Sequence, residues 1–374
     1  MRFRQTNSLT NWESNTSVDT GDENTAVPAI FPFSVHSQML GKLHRGKSFA
    51  DQSTGEIDKG SNLDLQTPSF IKLISSAPLT ENIGFYFDAH LIPGENQGTF
   101  SLNEAWVRYR WENEFIAAIT AGQIPNSDVI VDQDTRLSIK DYLIYEQSGL
   151  LLDRGLRFDI DIREFLLSAG VSNGNDSKNV TNVNSTGIGR NDQIYDNNNR
   201  KTLYGYFAKR FNNFRTGLFW QVNQQFAPAD LLAQSLSDRL IFQYSSGFDI
   251  QAFPSGKVNW MAQFMWNKWN EFLEPQKNIS WFGGFVAINY AATDTLAYSL
   301  LYNYTDAGDF RNTGSIYEGL ASNTITTSIS YYFRSNVRGI VEITMDFLPQ
   351  ENDADFVGHE SKEDNLSIGI DINY

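Results

Sequence analysis

The sequence contains no cysteine. This removes disulfide frameworks, thiolate metal sites and the Cys-x-x-Cys-His attachment of c-type haem. No run of eighteen apolar residues occurs, which excludes a membrane-spanning helix but not a spanning strand. Positive charge is short. The 29 Lys and Arg stand against 44 Asp and Glu, a net charge of −15, and a chain this acidic is not expected to bind nucleic acid. Histidine is scarce: His36, His44, His90 and His359 show no metal-ligand spacing. No Ser–His pair suggests a hydrolase. No enzyme activity and no cofactor are therefore expected. The start, Met1-Arg2-Phe3-Arg4-Gln5, lacks the apolar segment of a signal peptide. The chain is expected to be either cytosolic or a mature form with its signal removed.

Aromatic residues, by contrast, make up 14% of the chain. With β-branched residues they suit a pleated surface. Residues 1–28 read as a polar, loosely ordered N-terminal extension. From residue 29 onward the sequence alternates, and in a strand successive side chains face opposite sides. Ala105, Val107, Tyr109 and Trp111 oppose Glu104, Trp106, Arg108 and Arg110. Leu156, Phe158, Ile160 and Ile162 oppose Arg157, Asp159, Asp161 and Arg163. Charges at every second residue cannot sit unpaired in a core. They suit a strand with lipid on one side and water on the other. Further on, Val341, Ile343 and Met345 oppose Arg338, Glu342 and Asp346. The segment Lys201 to Phe211 does not reveal its facing.

About sixteen such segments can be marked. Short connections, such as Asn212-Asn213 and Ser335-Asn336, alternate with long ones, such as Asn173–Asn199 and Leu348–Asp364. The expected fold is all-β: a transmembrane antiparallel up-and-down β-barrel over 29–374, with short periplasmic turns and long extracellular loops. A soluble sandwich would also alternate. Against it stand aromatics near segment ends, Arg–acid alternation on the polar face, and a chain that stops inside a strand at Tyr374. The long segment 124–149 interrupts the pattern and reads as a loop folded into the lumen. It carries Asp128, Asp132, Asp134, Asp141 and Glu146 against Arg136 and Lys140, a net of −3.

Several motifs come in a shared order: Asn103-Glu104-Ala105-Trp106-Val107-Arg108-Tyr109, Ala121-Gly122-Gln123-Ile124-Pro125, Asp153-Arg154-Gly155, Ala169-Gly170-Val171-Ser172-Asn173-Gly174 and Tyr331-Tyr332-Phe333-Arg334-Ser335-Asn336-Val337-Arg338. Through them the chain resembles the phosphate-selective porin (O/P type) family over about residues 30–374. The resemblance implies sixteen strands, a homotrimer in the outer-membrane lipid of a Gram-negative bacterium, and a constriction loop after the fifth strand. It also implies that Tyr374 is the C-terminal signal read by the barrel-assembly machinery.

Phosphate selectivity is not expected. On the faces read as inward, seven cations, all Arg, stand against eight acids. The candidate channel-lining residues are Glu104, Arg108, Arg110, Arg157, Asp159, Asp161, Arg163, Arg338, Glu342 and Asp346, with Asp128, Asp132, Asp134, Arg136, Lys140 and Asp141 at the constriction. Two roles stay open for the arginines. They form a track for anionic solutes, or they pair with lumen acids and brace the wall; the second is favoured. The expected function is a porin for passive diffusion of small hydrophilic solutes or ions, with weak cation preference or none. The alternative is the barrel shell of an electron conduit that sheathes a cytochrome supplied by a partner or an absent haem domain.

Overall fold

The computed structural model describes residues 17–19, 26–28, 33–45, 61–92, 99–112, 115–131, 136–150, 152–173, 201–228, 236–272, 274–310, 320–348 and 364–373. Within the N-terminal extension, β1 (Ser17–Asp19) and β2 (Ala26–Pro28) form a small antiparallel pair. The remaining strands are β3 (Phe33–Arg45), β4 (Ser61–Pro78), β5 (Ile83–Ile92), β6 (Thr99–Glu112), β7 (Ile116–Pro125), β8 (Leu152–Ile162), β9 (Phe165–Ser172) and β10 (Thr202–Arg210). They continue as β11 (Phe214–Pro228), β12 (Leu236–Ser255), β13 (Val258–Trp269), β14 (Ile279–Ala291), β15 (Leu296–Asp306), β16 (Ser322–Arg334), β17 (Val337–Asp346) and β18 (Asp364–Asn373). These sixteen close one barrel. Every pairing is antiparallel between sequence neighbours, and β18 closes on β3 with Ile368 opposite Gly41.

Closure removes free strand edges and satisfies the ladder, which a strand in hydrocarbon requires. The outer surface is apolar. Leu156 and Phe158 on β8, Leu218 and Trp220 on β11, and Val341, Ile343 and Met345 on β17 all stand exposed. Aromatics band both ends of this surface. Tyr290, Tyr298 and Tyr331 lie near the short turns, with Tyr290 stacked on Tyr298 at 6.4 Å. Trp266, Tyr302 and Tyr304 lie near the opposite end. An apolar band between aromatic girdles is the exterior of a lipid-spanning barrel. Strand lengths depart from the sequence reading: β12 has 20 residues and β4 has 18, against the about 9–11 that a tilted spanning strand needs.

The ambiguous segment is now β10. Leu203 and Phe207 face out, while Tyr204, Tyr206 and Ala208 are buried within. Arg163 is a correction. It does not continue the inward face of β8 but occupies the two-residue turn to β9, exposed, at φ 55°. A hairpin that tight needs positive φ in its turn, so the position cannot also extend the strand. Arg210 of β10 reaches Asp161 instead.

Gly122 of β7 sits at φ 141°, a conformation open to glycine. A Cβ there would meet the Ala105 carbonyl oxygen at 2.2 Å and Trp106 Cα at 2.6 Å. Both contacts are backbone and cannot give way. Gly122→Ala is expected to destabilise the barrel by about 3 kcal/mol or more. The measurement is the temperature at which the folded band on a detergent gel converts to the unfolded one. A value equal to wild type would remove this role.

Candidate channel lumen

The inward faces divide into three sectors. The first runs from β4 to β10 and is charged. Lys72 pairs with Asp88 at 2.7 Å, and Arg157 Nε donates to Asp159 at 3.1 Å. Arg108 stands 3.9 Å from Asp159 and also donates to Thr120 Oγ1 at 2.9 Å. Arg210 holds Asp161. These acids are buried, Asp88 completely. A buried carboxylate persists only when paired, and each of these three has a cation beside it. Lys72 corrects the expectation that every lumen cation is Arg. In register it lies between His36 of β3 and His90 of β5, a placement that only strand pairing reveals. Glu104 accepts from Trp106 Nε1 at 3.1 Å. Arg110 pairs with Glu112 at 2.8 Å, near the exposed end of β6.

The second sector, β10 to β15, carries an apolar cluster on its inner face, among buried amides such as Gln221, Gln263 and Asn289. Phe219, Ile241, Met261, Met265, Trp281, Phe285 and Leu301 are each at most 2% exposed. They are covered by the segment between β7 and β8, which crosses to this side. Its short helix α1 (Leu143–Gln147) and the residues Val129, Ile130, Val131, Tyr142 and Leu150 join them in one core. Tyr142 stacks on Phe285 with centroids 4.1 Å apart, and Tyr145 meets the same ring edge-on at 5.8 Å. Burial pushes the Tyr145 phenol well above its usual pKa range, so it stays neutral. Arg215 of β11 donates to the Ile130 carbonyl and lies 3.9 Å from Asp249. Arg239 donates to the Phe272 carbonyl at 3.2 Å.

Polar bonds fix the far edge of the loop. The Ile139 and Lys140 N–H groups donate to the Glu342 carboxylate at 2.6 and 2.9 Å. Asn303 Nδ2 donates to the Asp141 carbonyl at 3.1 Å, and Thr305 Oγ1 donates to Gln147 Oε1 at 2.6 Å. Arg338 donates to the Leu137 carbonyl at 3.1 Å while paired with Asp371. Arg136 pairs with Asp141.

The third sector comprises β16, β17, β18, β3 and β4. It faces a cavity of about 400 Å³ bounded opposite by loop residues Ile139 to Asp141, Leu143 and Gln147. Lys42, Glu342 and Asp346 line it, and nine of its nineteen lining residues are Ser, Thr, Asn or Gln. Of the other residues expected at the constriction, the Asp128 side chain, Asp132 and Asp134 lie outside the described residues, as does Tyr374. The apolar sector and the hydroxyl-rich wall were missed by alternation. A signal existed for the former: β12 to β15 carry apolar residues on both parities, as in Leu240-Ile241-Phe242 and Leu300-Leu301.

The geometry defines a sixteen-stranded membrane-type barrel with a loop docked inside. No protein-family model and no curated protein matches the chain. Solved structures match it along nearly their whole length. The outer membrane channel DcaP of Acinetobacter baumannii superposes with TM-score 0.60 at 12% identity, covering 97% of this chain and 100% of that one. Salmonella typhi OmpF, solved with daunomycin, gives 0.59 at 12% identity, with 92% and 98% covered. An anion-selective porin from Comamonas acidovorans gives 0.57 at 9% identity, with 91% and 98% covered. At these identities the likeness establishes the fold.

Proposed function

We propose that this chain is an outer-membrane porin that passes small hydrophilic solutes or ions by passive diffusion. The observation that carries the reading is the cavity between the docked loop and the polar wall of β16 to β4, inside a closed barrel with an apolar exterior. The porin and the outer membrane channel it superposes on support the same reading. The loop between β7 and β8 sets the width of the passage, and Lys140, Asp141, Glu342 and Asp346 stand at it. Assembly as a homotrimer in the outer membrane belongs to the proposal, as the O/P-type resemblance implies. Phosphate selectivity does not. The described lumen arginines engage carboxylates or carbonyls of the protein itself, and the chain is net acidic. A loop of the chain's own docked in the lumen favours solute passage over a cytochrome sheath.

The test is a planar bilayer under a salt gradient. The expected result is stepwise conductance with a small reversal potential of cation-selective sign or near zero. A strong anion preference would overturn the selectivity, and absence of steps would overturn the channel.

A further inference from the structure

We infer that the passage favours neutral, hydroxyl-bearing solutes such as polyols and small sugars, and that Ser322 and Thr324 of β16 form the subsite that confers this. The inference deepens the porin reading and rests on it. It starts from β16. Its inward positions read Ser322, Thr324, Thr326, Ser328 and Ser330, a hydroxyl at every second residue along the strand. All five are buried, at 5% exposure or less. Thr326 is satisfied, its Oγ1 2.9 Å from Thr344 Oγ1 on β17. The other four hydroxyl oxygens have no hydrogen-bond partner among the described residues.

A buried hydroxyl without a partner costs free energy, about 1–3 kcal/mol. Two such pairs on one strand, Ser322 with Thr324 and Ser328 with Ser330, are not needed for a wall that only has to hold shape, because alanine or valine would serve. Ser322 and Thr324 are among the residues that line the cavity of about 400 Å³. Their cross-strand neighbours are polar too: Thr305 and Asn303 on β15, and Asp346 opposite Thr324 on β17.

The charges around the cavity are already engaged. The Glu342 carboxylate takes two loop N–H groups, and Asp141 holds Arg136. Asp346 Oδ1 accepts from the Leu348 N–H at 2.9 Å. Lys42 and Lys140 have protein partners as well. An ion entering the cavity would compete with these contacts. A polyol would not: each of its hydroxyls both donates and accepts, which is what an unpartnered Ser or Thr hydroxyl offers.

Swelling of proteoliposomes tests this, with arabinose against glycine betaine, a compact solute of similar size that has no hydrogen-bond donor. KCl conductance of the same preparation shows whether the barrel is open. For the wild-type protein, arabinose is expected to enter about three- to tenfold faster than betaine, the ratio that one net hydrogen bond supplies. Ser322→Ala combined with Thr324→Val should bring the ratio close to one, and Ser322→Ala with Thr324→Ser should keep part of the preference. A wild-type ratio near one overturns the inference without any variant. So does an undiminished ratio in the Ala/Val variant. A wild-type protein that gives no KCl conductance overturns the porin reading itself, a result distinct from either.

Discussion

Phe285→Ala is expected to free the lumen loop, raising mean single-channel current severalfold and making it noisy. Phe285 is 2% exposed, on the inner face of β14. Its ring lies parallel to Tyr142, 6° between planes, and takes Tyr145 on its edge. Truncating a buried Phe costs about 3–5 kcal/mol. The loss falls on loop docking rather than on strand pairing, because the β14 backbone keeps its ladders to β13 and β15. What remains is the packing of Val129, Ile130, Val131, Ile144 and Leu150 in the same core and a polar edge: the Glu342 carboxylate on two N–H groups, and the bonds of Asn303 and Thr305. Neutral bonds net about 0.5–1.5 kcal/mol each, and those to a charged group about 1.5–3. The apolar contact is thus comparable to the whole polar edge, and its loss gives the loop access to undocked positions. Phe282→Ala is the control. It removes the same side chain from the same strand, but from the lipid face, and should leave current and noise as in wild type. If Phe285→Ala behaved like Phe282→Ala, the loop would not be held by its apolar face.

This division of the lumen explains which features were legible in the sequence. Alternation read the barrel because one face meets lipid and the other does not, and β8 with Arg157, Asp159 and Asp161 states that plainly. It assigned each strand two faces, however, and assumed that the inner one meets water. The second sector breaks that assumption, since the inner face of β12 to β15 meets α1 and its neighbours. Local pattern cannot show what a face packs against when the partner is over a hundred residues away, as Tyr142 is from Phe285. Lys72 was hidden likewise, its lumen position fixed by register with β3 and β5. Arg163 was misplaced by one residue of strand length, the usual uncertainty at a hairpin. The hydroxyl row of β16 was visible as Ser322 to Ser330 at spacing two. Its meaning depends on burial and lack of partners, which are three-dimensional facts.

Asp159→Ala is the second large effect and decides between the two roles of the lumen arginines. If they form an open anion track, removing an acid beside them should leave stability unchanged and raise anion permeability sharply. If they brace the wall, it should cost about 3–5 kcal/mol, because it leaves buried guanidinium groups without their carboxylate. The second outcome is expected. Asp159 is 4% exposed and is shared by Arg157 Nε at 3.1 Å, Arg108 at 3.9 Å and Ser168 Oγ at 2.7 Å. The readout is the gel-shift unfolding temperature beside the reversal potential. Adding Arg157→Met to Asp159→Ala should recover part of the lost stability, since replacing both partners of a buried pair by apolar groups is often neutral. The exposed pair on β6 calibrates the scale. The Glu112 side chain is 61% exposed, and Glu112→Ala should cost about 0–1 kcal/mol. Stability unchanged in Asp159→Ala, with a strong anion preference, would restore the track. A large loss rescued by Arg157→Met would mean that the charges of this wall close the barrel's inner surface on itself, leaving selection to the hydroxyls across the lumen.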